Sequence, residues 1–193
     1  MAAMTIRSLA ALLALLSFAA ATPALAKPPA QAAGKPAAKM PAVVPEGWKH
    51  VVSDKGNYSL VFPGEPAAQD LTDDAGKYLA TMFVLELDNG NVAYMSSFSD
   101  LPLERTTAGP DQILSDARDG ALKSSKGTLV SEKKITLDGF PGRELQISTP
   151  NGMTSFVRVY LVKSRLYQSM GVMPKDKIDG KQVRTFLESF RLK

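Results

Sequence analysis

Apolar and polar positions along the chain change their period several times, and each change marks an element. Two short apolar runs, 48–53 and Tyr58–Phe62, are separated by Asp54, Lys55, Gly56 and Asn57, all turn formers. The second run stops at Pro63 and Gly64. Residues 77–87 alternate, which puts Leu79, Phe83, Leu85 and Leu87 on one side of a strand. Asp88, Asn89, Gly90 and Asn91 then close a hairpin into 92–99, because Asn and Gly accept the positive φ of a tight turn. At Pro110–Ser125 the period becomes helical: Ile113, Leu114, Ala117, Ala121 and Leu122 recur on one side, Pro110 suits a first turn, and Gly127 ends the element.

After Gly127 the period returns to that of strands. Thr128–Leu137, 143–149, Met153–Val162 and 166–173 are separated by Asp138 and Gly139, by Pro150, Asn151 and Gly152, and by Lys163 and Ser164. A last helix is expected at 179–189, with Val183, Phe186 and Leu187 on its apolar side. The predicted fold class is α+β: a mainly antiparallel sheet packed by a mid-chain helix and a C-terminal helix.

The first residues follow another pattern. Arg7 is the one charge before Lys27, residues 9–21 are apolar apart from Ser17, and Ala24, Leu25 and Ala26 form an A-x-A site. Residues 1–26 are therefore expected to be a signal peptide cut after Ala26, which makes the protein periplasmic or secreted. An uncleaved anchor is the rival reading, but the run is shorter than the ~20 residues a spanning helix needs. Residues 27–46, with Pro28, Pro29, Pro36, Pro41 and Pro45 among alanines, read as a flexible linker, and 47–193 as a single domain. The chain has no cysteine, which excludes disulfides, thiol catalysis, thiolate metal sites and lipidation through a thiol. The formal charge of +4 is concentrated near the start: from residue 47 onward 19 basic residues face 18 acidic ones, so no nucleic-acid partner is expected.

Candidate chemistry is sparse, and neither a catalytic residue nor a cofactor or metal site is assigned. His50, the single histidine, has no nucleophile and orienting acid at a recognisable spacing. Asp73, Asp74 and Asp88 lie in turns without the alternating oxygen pattern of a calcium loop. Met170 and Met173 point to opposite faces of one strand, and Met82, Met95 and Met153 are scattered, so the methionines read as core filling rather than a copper site. One patch has the composition of a recognition surface: Phe156, Arg158 and Tyr160 share a strand face, with Arg165 and Tyr167 on the next strand. Two readings stand beside each other, a partner-binding surface and a face that a helix covers, with the polar tips emerging at its margin.

Several segments resemble the PsbP-like family. They are Tyr58 to Pro63 (YSLVFP), Gly139 to Leu145 (GFPGREL), Arg158 to Leu161 leading into Arg165, Leu166 and Tyr167, and Phe186 to Phe190 (FLESF). The family includes extrinsic photosystem proteins, a Ran-binding nuclear-transport protein and bacterial envelope proteins of the DcrB type. The resemblance spans about 48–192 and implies an α/β/α sandwich that acts as a binding or assembly module without enzymatic activity. The chain departs from the DcrB type in lacking its lipid-anchoring cysteine, and nothing in it matches a photosystem-binding motif. The expected function is an exported, non-enzymatic module with an envelope protein as partner. Two alternatives remain: a carrier of an apolar ligand between sheet and helix, and a carboxylate-dependent hydrolase, for which no spaced acid pair is present.

Overall fold

The structure is a computed structural model and describes residues 44–72 and 78–193. The expected leader, residues 27–43 of the expected linker, and Asp73 and Asp74 lie outside the described residues. In chain order the elements are β1 (Lys49–Ser53), β2 (Tyr58–Phe62), β3 (Ala67–Thr72), β4 (Tyr78–Leu87), β5 (Val92–Asp100), α1 (Pro110–Ser125), β6 (Thr128–Leu137), β7 (Phe140–Ser148), β8 (Met153–Val162), β9 (Arg165–Pro174), α2 (Gly180–Glu188) and β10 (Arg191–Leu192). Seven strands form one sheet in the order β3-β4-β5-β9-β8-β7-β6, and β1-β2-β10 form a second. The pairings within both are antiparallel. The α+β class follows directly from the alternating pattern. Among the described residues no helix is long and apolar enough to cross a membrane.

Both helices have local causes. Pro110 and Asp111 occupy the first turn of α1, which buries Ile113, Leu114, Ala117 and Ala121 and ends where Lys126 turns left-handed at φ 50°. Asp179 precedes α2 as its cap, its carboxylate accepting from the amides of Lys181 and Gln182 at 3.0 Å each. The pattern of the sequence had placed Asp179 inside the helix. Two strands carry no periodic signal. In β3 every residue but the half-buried Leu71 is exposed, because it is an edge strand lying beside β4. In β10 only two residues pair with Ser59 and Tyr58, too few to set a period.

The two faces of the large sheet are closed differently. On one, Leu85, Tyr94, Phe98, Tyr160, Tyr167 and Met173 pack against Tyr58, Leu60 and Phe62 of β2 and against Val183, Phe186, Leu187 and Phe190 at the C-terminal end. On the other, α1 lays Ile113, Leu114 and Ala117 on Val159, Leu161 and Leu166, and Ala121 joins a cluster with Leu145, Val157 and Met170. Register gathers the methionines that looked scattered: Met95 lies opposite Met170, and Met82 belongs to the same buried cluster.

Three positions of the GFPGREL segment have separate physical reasons. Gly139 turns at φ 85°. A Cβ on Gly142 would sit 2.5 Å from the Tyr160 ring and 2.6 Å from the Val159 carbonyl, so only glycine fits opposite that tyrosine. Arg143 points to the α1 side and is buried there.

Candidate functional site

The five residues of the expected partner surface do come together on one face, and the chain itself fills that face. Tyr160 and Tyr167 are 4% exposed. Tyr160 stacks on Phe190 with ring centroids 5.8 Å apart, and Tyr167 meets the same ring edge-on at 5.5 Å. The Tyr167 hydroxyl donates to the Gly56 carbonyl at 2.7 Å, fastening the turn between β1 and β2 to the large sheet. Burial pushes the hydroxyls of Tyr160 and Tyr167 above the ordinary tyrosine range and that of Tyr94 to about 12. Tyr94 donates to the Gln182 side chain at 2.7 Å, which ties β5 to α2. Phe156 packs half-buried against the same core.

The two arginines are the polar tips at the margin. Arg158 Nε donates to Glu144 on β7 at 2.6 Å and Nη1 to the Leu187 carbonyl at 3.3 Å, so it fixes the end of α2. Arg165 forms two bonds with Asp100, at 2.6 and 2.8 Å, donates to the Lys55 carbonyl at 3.0 Å, and lies 4.6 Å from the centre of the Phe98 ring. The Arg165 hydrogen bond holds the Asp100 carboxyl below its usual range. All five residues therefore bond or pack across elements, and the covered-face reading accounts for their geometry.

The other residues singled out are placed as follows. His50 is exposed on β1, opposite Val61. Asp88 pairs with Lys177 at 2.5 Å. Among the described residues no group of three or more His, Cys, Asp or Glu could hold a metal ion.

On the α1 face two features stand out that the sequence did not reveal. The first is an ionic cluster between α1, β6 and β7. Arg143 contacts Asp111 in the first turn of α1 and lies 3.3 Å from Glu132, which Arg118 reaches from α1 at 3.0 Å. Lys134 bonds Asp111 at 3.1 Å. That bond and the Arg143 charge hold the Asp111 carboxyl below its usual range. Asp111 and Glu132 each face two cations, which makes the cluster an electrostatic clamp on α1, while Glu132 Oε1 is buried without a hydrogen bond.

The second is a recess of about 250 Å³ at the C-terminal end of α1, lined mostly by apolar surface. Ser125 and Lys126 form one wall, the turn Thr149, Pro150 and Asn151 another, and Met153, Ser155 and Val172 of β8 and β9 the floor. Ser155 is 2% exposed and its hydroxyl has no hydrogen-bond partner. One signal for it was in the sequence: Ser155 interrupts an otherwise apolar set on its strand face, Met153, Val157, Val159 and Leu161.

The sequence matches no protein-family model and no curated protein. Solved structures are similar. Cyanobacterial PsbP (CyanoP) from Synechocystis sp. PCC 6803 aligns with a TM-score of 0.57 at 13% identity, covering 81% of this chain and 98% of that one. The Saccharomyces cerevisiae Ran-binding protein Mog1p aligns with a TM-score of 0.45 at 9% identity, covering 80% and 96%. PA94, a putative regulator from Pseudomonas aeruginosa, aligns with a TM-score of 0.38 at 12% identity, covering 62% and 90%. The first likeness, spanning almost all of CyanoP, shows that the fold is PsbP-like, the architecture that the motifs implied.

Proposed function

We propose that this protein is a non-enzymatic binding module that works outside the cytoplasm, exported by residues 1–26 and released by a cut after Ala26. The observation that supports it most is the use made of its ionisable groups. Arg143, Arg158 and Arg165 are each committed to carboxylates or carbonyls that join one element to another. Such groups are fixtures of the fold, whereas catalysis needs acids, bases or nucleophiles that meet a substrate. The fold shared with CyanoP agrees with that reading only by analogy.

A second reading, a carrier of an apolar ligand, is favoured by the recess beneath the end of α1: a concave, mainly apolar site with one polar group fits binding better than chemistry. The two readings share the exported address. Expressed in a bacterial host with a C-terminal tag, the protein is expected outside the cytoplasm with Lys27 as its first residue. Cross-linked capture from envelope extract is then expected to retain a protein partner, and native mass spectrometry a small ligand if the carrier reading holds. A chain that stays cytoplasmic with its first 26 residues intact contradicts the proposed address.

A further inference from the structure

We infer that the recess at the C-terminal end of α1 is a binding site for a small, uncharged, largely apolar molecule carrying a single hydrogen-bonding head, and that the Ser155 hydroxyl is the group that receives the head. The inference rests on the carrier reading and gives its ligand a chemistry.

Three observations support it. A buried hydroxyl without a partner is costly, about 1–3 kcal/mol relative to a satisfied one, and native interiors rarely keep such a group. Ser155 is one: its neighbours on that strand face are apolar, its register partner on β9 is Val172, and no hydrogen bond to it forms. Next, this residue lies in the floor of an open recess rather than in sealed core, so rotation about χ1 offers the hydroxyl to an occupant. Lastly, the lining sets the rest of the ligand. Met153, Pro150 and Val172 present apolar surface, and methionine adapts its shape to irregular or aromatic groups.

Charge is favoured in neither sign, because the helix end and the lysine beside it offset each other. The wall made by Ser125 and Lys126 is the negative end of the α1 dipole, which opposes an anion. The Lys126 side chain there opposes a cation. A volume near 250 Å³, open to solvent on one side, suits a compact ligand of two or three rings.

N-phenyl-1-naphthylamine is a suitable probe: it is neutral, apolar, carries one N–H, and fluoresces more strongly when it leaves water. Titrated into the exported protein, it is expected to bind at one saturable site. Ser155→Ala is expected to weaken that binding about fivefold, the size of one neutral hydrogen bond. The same variant should melt at the same temperature as the parent or higher, because it removes an unpaired buried hydroxyl. Met153→Trp, which fills the recess, is expected to abolish binding. The proposal is overturned if no saturable binding occurs, if Ser155→Ala binds as tightly as the parent, or if Met153→Trp folds and still binds. A protein that is correctly exported and captures a protein partner, yet gives any one of these results, loses the pocket while the module reading stands.

Discussion

On the face carrying Tyr94, Phe98, Tyr160 and Tyr167, the large sheet is covered by a second sheet and α2. On the face carrying Leu145, Val157 and Met170, it is covered by one helix, held at its first turn by charges. The first cover is aromatic and interlocked. Tyr58 stacks on Phe190 with centroids 4.9 Å apart, meets Tyr167 edge-on at 5.6 Å, and shares a 2.7 Å hydrogen bond with Ser96. The second cover is fixed at its N-terminal end and leaves a recess at its C-terminal end. A closed face stores stability, and a face with a recess beneath one helix end has room for an occupant.

The comparison predicts unequal responses to substitution. The largest is expected on the closed face: Phe186→Ala removes a ring that is 0% exposed and meets Phe62 and Tyr94, and should cost about 3–5 kcal/mol in a urea titration. Tyr160→Ala belongs to the same class. A loss of partner binding by Tyr160→Ala with an unchanged melting temperature would identify that face as a docking surface.

Next comes the clamp. Arg143→Ala leaves the half-buried Glu132 short of one of its two cations and should cost about 3 kcal/mol. Adding Glu132→Gln should recover part of the loss, because the stranded charge is then gone. No recovery in the double variant would show that the arginine acts through packing instead.

Gly142→Ala should cost about 2 kcal/mol, since the new methyl collides with the Tyr160 ring and the Val159 carbonyl. The damage is expected on the aromatic side, read as a change in near-ultraviolet circular dichroism.

The smallest effect is at the rim. Asp100→Asn should cost about 1 kcal/mol or less, because the pair with Arg165 is partly exposed and screened by solvent. The Asp100 carboxyl is held below its usual range in the folded chain, so the native state binds fewer protons than the unfolded one. Its contribution is complete above about pH 4 and disappears as the pH falls through the lowered value. Parent and variant should therefore converge in stability in acid. A gap that does not narrow at all as the pH falls below the ordinary carboxylate value would contradict the ion pair as the source.

How legible these features were depends on whether they are local. The Pro110 start of α1, the alternation in Met153–Val162 and the Asn89–Gly90 turn are set by neighbours in sequence, and the structure has them where the pattern put them. The edge strand β3 was invisible because an edge with most side chains in solvent shows no period. The arginine and tyrosine patch was legible as a patch. What covers it depends on Phe190 and on the β1–β2 turn, more than 20 and 100 residues away in sequence, which no local pattern reports. The clamp was hidden for the same reason, since Asp111, Glu132 and Arg143 meet only once α1 lies on β6 and β7.

The most direct test of the two-faced account is methyl NMR on the protein labelled at methionine and valine, titrated with N-phenyl-1-naphthylamine. The account predicts saturable shifts at Met153 and Val172 beside the recess, with Met173 and Val183 on the closed face unmoved. Saturable shifts centred on Met173 and Val183, or none at Met153 and Val172, would contradict it.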